Sequence, residues 1–214
     1  MRRDLQRVSG FLGATLVLLL LLGALAHHFF VDIAGADTAI ITHLKTLESE
    51  GLELRTPAGT LTGEQVHYQR IAVTLDAEGT RATMIATLDF TGEWRRGDVV
   101  TRVSSLGLER AHYVRRDGAW RPERTDAPRL LDIIAALDRR VADINAGAAL
   151  PEIRDRKWES RAWFIRSERA EVEVAEDYRL TGWTLARPID EKATRRLSLR
   201  EDADGGFSFP GGLM

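Results

Sequence analysis

Five histidines, His27, His28, His43, His67 and His112, are the side chains best suited to bind a metal or move a proton near neutral pH. None forms an H-x-H or H-x-x-x-H pair with a carboxylate at ligand spacing, so the sequence carries no metal motif. His27 and His28 read as markers of an outer membrane interface, and His67 and His112 fall on expected strands as ordinary surface or satisfied residues. Ser104 and Ser105 lack the glycine pattern of a nucleophile elbow. Glu171, Glu173 and Asp177 share the polar face of one expected strand; such a row can hold a divalent cation, but a solvated face is the plainer reading. The run from Asp202 through Asp204, Gly205 and Gly206 has the look of a calcium loop without its later glutamate, and reads as a hairpin turn. The expectation is therefore no catalytic residue, no cofactor and no metal. Binding is the remaining chemistry: Tyr68 with Trp94, or Trp163 with Tyr178, are the candidates to line a ligand pocket between a helix and a sheet, with core packing as the alternative.

The compartment in which these residues work is set by the apolar run from Phe11 to Ala26. Arg2, Arg3 and Arg7 precede it, and no Lys or Arg follows until Lys45, an asymmetry that keeps the N-terminus cytoplasmic and exports the rest. Sixteen residues reach about 24 Å as a helix, short of a bilayer core of about 30 Å, but His27 to Val31 would complete a span. Two readings stand: a retained transmembrane helix over 10–31 behind a cytoplasmic tail 1–9, or a signal peptide 1–26 cleaved after the small-x-small sequence Ala24-Leu25-Ala26. Both place the bulk of the chain in the periplasm of a bacterium, and the first anchors it in the inner membrane. There is no cysteine, so neither disulfides nor lipid attachment through a thiol contributes. A net charge of −2, with 29% charged residues of both signs mixed along the chain, excludes the basic concentration that a nucleic-acid binder needs.

Beyond the leader, the periodicity describes a helix and a meander, twice. Asp37 is a candidate cap for a helix over Thr38 to Glu50, with Ile40, Leu44 and Leu47 on one stripe and Gly51 as its stop. Val66 and Tyr68, then Ile71, Val73 and Leu75, alternate with a parity slip at Gln69-Arg70 that predicts a β-bulge. Asp76 to Gly79 turns the chain into a strand with Ala82, Met84, Ala86, Leu88, Phe90 and Trp94 on one face. Turns at Gly97-Asp98 and Asp117-Gly118 follow. Asp126 is a candidate cap for a second helix to about Ala146, with Pro128 in its first turn and a stripe of Leu130, Ile134, Leu137, Val141 and Ile144. Strands over Trp158–Arg166 and Arg169–Trp183 come next, the latter with Ala170, Val172, Val174, Tyr178 and Leu180 on one face.

The segment from Arg81 aligns with the segment from Arg169, and the Asp117-Gly118 turn with Asp204-Gly205, in the same order of elements. This points to a tandem duplication: an α+β protein with an N-terminal transmembrane helix followed by two rolls, 34–124 and 126–214, each one helix packed on a curved antiparallel sheet. The alternative is a single larger domain in which the second helix packs across the first sheet. In element order the layout resembles the cystatin-like and ketosteroid-isomerase-like α+β rolls and, with an anchor, looks like the inner-membrane component of type IV secretion systems. The expected function is a single-pass inner-membrane protein whose extracytoplasmic domains act as a non-enzymatic docking, scaffold or assembly module among envelope proteins. The alternative is a secreted soluble periplasmic protein that binds or acts on a small apolar ligand in a pocket of one roll.

Overall fold

Helix α1, Ala34–Glu50, buries Ala36, Ile40 and Leu44 and rests Leu47 against the core, the stripe its sequence contains. It starts ahead of Asp37, which lies in the first turn, where a carboxylate favours the helix dipole, and caps nothing. Gly51, at φ 84°, ends it. The strands that follow are β1 (Leu52–Arg55), β2 (Thr60–Leu75), β3 (Arg81–Arg96), β4 (Val99–Arg116) and β5 (Ala119–Pro122). After helix α2 (Pro128–Ala146) come β6 (Arg154–Glu168), β7 (Glu171–Trp183), β8 (Pro188–Glu201) and β9 (Phe207–Ser208). Alternation on β3 is as the sequence predicts, with Ala82, Met84, Ala86, Leu88, Phe90 and Trp94 all buried. The parity slip in β2 is a bulge: register shifts between Gln69 and Ala72, with Arg70 at φ 52°.

The computed structural model describes residues 17–24, 26 and 33–212. Residues 17–24 are helical, but among the described residues no helix is long and apolar enough to cross a membrane. This corrects the expected transmembrane helix over 10–31; residues 10–16, 25 and 27–31 of that segment, His27-His28 among them, and the tail 1–9 lie outside the described residues.

The two-roll architecture is also corrected. Among the described residues all nine strands belong to one sheet, in the order β1-β2-β3-β4-β6-β7-β8-β9 with β5 on β4. The seam is parallel: Arg102 to Gly107 of β4 pair with Ala162 to Ser167 of β6. The chain leaves β4 through β5, crosses on α2 and returns in the same direction, which lays β6 beside β4 and merges two meanders into one sheet over one core. Within the seam, Thr101 Oγ1 donates to the Ser160 carbonyl at 2.9 Å and Ser167 Oγ to the Leu108 carbonyl at 3.3 Å. Gly107 permits the approach, since a Cβ there would lie 2.1 Å from the Ser167 carbonyl oxygen. Gly107→Val is expected to cost about 2 kcal/mol or more in urea unfolding, because a backbone oxygen cannot swing aside as a side chain can. An unchanged midpoint would show that the seam tolerates wider spacing.

The stripe on α2 is buried throughout, at Leu130, Ile134, Leu137, Val141 and Ile144. Its cap is not Asp126. Ala127 sits in the left-handed region at φ 47°, and the first amides turn to a carboxylate from the sheet: Glu109 of β4 accepts from the N–H of Arg129 at 2.9 Å and of Leu130 at 3.1 Å. Asp126 instead lies 3.7 Å from His43 of α1.

Candidate functional site

Glu176 of β7 has the same parity as Val172, Val174 and Leu180 and points into the core, where its side chain is 0% exposed. The layer beneath α2 supplies its partners. Arg140 of α2, also 0% exposed, donates to Glu176 Oε2 at 2.8 Å, and Arg195 of β8 approaches the same oxygen at 3.5 Å. Trp158 and Trp163 of β6 each donate an indole N–H to Oε1 at 3.3 Å, and the Ser160 hydroxyl donates there as well. One anion is thus surrounded by two guanidinium groups and three neutral donors. Desolvation lowers the pKa of Arg140 and of Arg195, while Glu176 pulls both back up. Arg140 and Arg195 also lie 5.3 and 5.0 Å from the Trp158 ring, whose other neighbour, Tyr178, stacks on it at 3.9 Å.

This cluster fixes the last long strand of the sheet. Arg195 anchors β8 from the inner face, where the Tyr178 hydroxyl also donates to Glu191 at 2.9 Å; on the outer side Arg179 of β7 makes a bidentate pair with Asp190 at 2.8 and 2.7 Å, and Thr194 donates to Asp177 at 2.5 Å. Burial raises the pKa of the Tyr178 hydroxyl, and its bond to Glu191 adds to that. β7 pairs with β8 along its whole length, whereas β9 reaches only Arg200 and Glu201. From Pro188 to Leu199 no described strand occupies the far side of β8. The opposite edge is different: β1 covers Thr60 to Gly63 of β2, Glu48 of α1 accepts the Tyr68 N–H at 2.5 Å, and the bulge at Arg70 breaks what is left.

The four aromatic residues read as pocket candidates are placed differently from their proposed pairing. Tyr68 stands opposite Leu88, whereas Trp94 lies six residues further along β3, a distance of about 20 Å. Tyr68 is buried in the core, which raises its pKa. Trp94 instead reaches α2, donating to Asp138 at 3.3 Å, and shares with Trp163 a cleft of about 130 Å³. That volume is well below the roughly 300 Å³ at which small-molecule pockets begin. Tyr178 lies off this cleft and lines an open groove of about 820 Å³, bordered by Arg102, Glu159, Arg161, Asp177 and Lys192. Its lining is mostly charged and polar.

The other residues singled out for chemistry are engaged locally. His67 meets Glu48 at 2.9 Å, His112 meets Thr83 at 3.2 Å and His43 meets the Tyr113 hydroxyl at 3.2 Å. Ser104 points outward and Ser105 inward, with no catalytic partner beside either among the described residues. Glu171 and Glu173 are exposed. Asp202 accepts from Ser208 at 2.8 Å, and Asp204 from the Gly206 N–H at 3.1 Å, as a hairpin turn requires. Among the described residues no three His, Asp or Glu side chains come together as metal ligands.

Sequence reasoning missed Glu176, Arg140 and Glu109 because it assigned charged residues to the wet side. Strand parity held the signal: Glu176 continues the series Val172, Val174, and Glu109 continues Thr101, Val103, Ser105. Set against known proteins, the chain matches no family model, no curated protein and no solved structure.

Proposed function

We propose that this protein is a non-enzymatic docking module that joins an assembly in the cell envelope by adding a partner's strand to its own sheet. The observation that carries the reading is the β8 edge: Pro188 to Leu199 stand unpaired on one side and are locked on the other by the Arg195–Glu176 and Arg179–Asp190 contacts. A strand held in fixed register with free N–H and C=O groups is the template that β-augmentation uses. Location in the envelope rests on the arginine-flanked apolar leader. The small-ligand alternative has less in its favour, since the cleft shared by Trp94 and Trp163 holds only about 130 Å³ and the groove beside Tyr178 is open and mostly charged and polar.

Photo-crosslinking in intact cells tests the reading. With a photoreactive residue at Lys192 or Thr194, a discrete protein adduct is expected; with the same residue at Glu78, in the exposed β2–β3 turn, none is. Adducts of equal yield at all three positions, or turnover of a substrate by the purified chain, would remove it.

A further inference from the structure

The charged residues of β8 are ordered so that the strand complements itself. Antiparallel pairing of two copies about a two-fold axis at Ala193 sets Asp190 opposite Arg196, Glu191 opposite Arg195, Lys192 opposite Thr194 and Ile189 opposite Leu197. Every opposed pair lies on one face: Asp190, Lys192, Thr194 and Arg196 are exposed on the outer side, while Ile189, Glu191, Arg195 and Leu197 belong to the side that carries the helices. Moving the axis by one residue is the smallest slip that keeps faces matched, and both slips are unfavourable. An axis at Lys192 places that ammonium against its own copy; an axis at Thr194 places Lys192 against Arg196. Charges on an edge strand ordinarily prevent pairing, but here their sign pattern rejects the neighbouring registers and favours one.

We infer that the occupant of the β8 edge is a second copy of this chain, paired strand to strand in the register centred on Ala193. The inference rests on the docking reading above and names its partner. The monomer is prepared for it. Arg179 and Tyr178 already hold the side chains of Asp190 and Glu191 in place, so little side-chain freedom remains to be lost on pairing. Arg196 is exposed and, among the described residues, no carboxylate lies within ion-pair distance of it, which leaves it available to the partner's Asp190. The β2 edge does not compete, being covered by β1 and Glu48 and interrupted at Arg70.

The absence of cysteine makes the register measurable in the full chain. In Ala193→Cys the two thiols face each other across the axis at the Cβ separation a disulfide needs, so oxidation is expected to link the chain into a dimer at least tenfold faster than in Lys192→Cys, whose thiols are offset. Asp190→Arg or Arg196→Asp alone is expected to abolish the concentration-dependent dimer in sedimentation, and the exchange of both to restore it. Restoration separates lost pairing from lost folding. Added salt is expected to weaken the dimer, because the outer pairs are exposed. A monomer at every concentration, or equal linkage of Ala193→Cys and Lys192→Cys, would overturn the self-pairing. If β8 then still yields photo-adducts with a different protein, the docking reading survives without it; if β8 yields none, both fall.

Discussion

Glu176→Gln is expected to lower the free energy of unfolding by about 3–5 kcal/mol. The amide keeps the shape of the carboxylate and can still accept from the Trp158 and Trp163 indoles. What it removes is the carboxylate charge that faces Arg140 and Arg195, and it turns an N–H group toward them. Arg140 has no route to water, with 0% of its side chain exposed, so its charge stays buried without the carboxylate that balanced it. Arg140→Met is expected to be costly for the reverse reason, stranding the carboxylate with Arg195 alone. The double variant removes both opposite charges and should recover about 2 kcal/mol or more relative to the sum of the single changes, since the two residues touch. Urea unfolding of the four chains measures this. Additive losses would mean that Arg140 and Glu176 contribute separately and that the cluster is not a unit.

The second large effect is a pH dependence that Glu109 imposes and Glu109→Gln removes. Burial pushes this carboxyl from the ordinary glutamate value of 4.5 up to about 7, against the pull of the Arg129, Leu130 and Arg110 backbone N–H donors. The folded chain therefore keeps a proton between about 4.5 and 7 that the unfolded chain releases. By linkage, the stability this group contributes is fully present below 4.5, falls as the pH rises and levels off above about 7, a change of about 3 kcal/mol across that window. Asp76 and Asp190 act in the opposite sense, because hydrogen bonds hold both carboxyls below their usual range; their contribution is lost on acidification. Comparing wild type with Glu109→Gln at each pH isolates the first effect. The variant should gain on wild type by about 3 kcal/mol between pH 4.5 and pH 8. A difference that stays flat over that range would place the Glu109 carboxyl in the ordinary range.

What the sequence revealed was local. The alternation of β3, the bulge at Arg70, the turns at Gly97 and Gly118 and the stripe of α2 all follow from spacing along a few residues, where each side chain declares the face it occupies. The seam between β4 and β6 has no such signature, because pairing across a helix is decided by how two faces fit, and the one clue, Gly107, looks like any strand glycine. The cap on α2 was misread for a similar reason. Asp126 is adjacent in sequence, but the first amides of the helix point at Glu109, which arrives from the sheet. The aromatic residues read as pocket lining or core, with partners drawn from their own half of the chain, whereas Trp94 reaches across to Asp138.

The parallel seam makes the halves of this chain dependent on each other in a way a string of beads is not. A fragment ending near residue 124 would bare the flank of β4 from Arg102 to Gly107 and uncover Val103 and Trp94, which now lie under elements that come later in the chain. Synthesis of the first half thus yields an unfinished surface, and the molecule reaches its mature shape only when β6 slots in from the far side of α2.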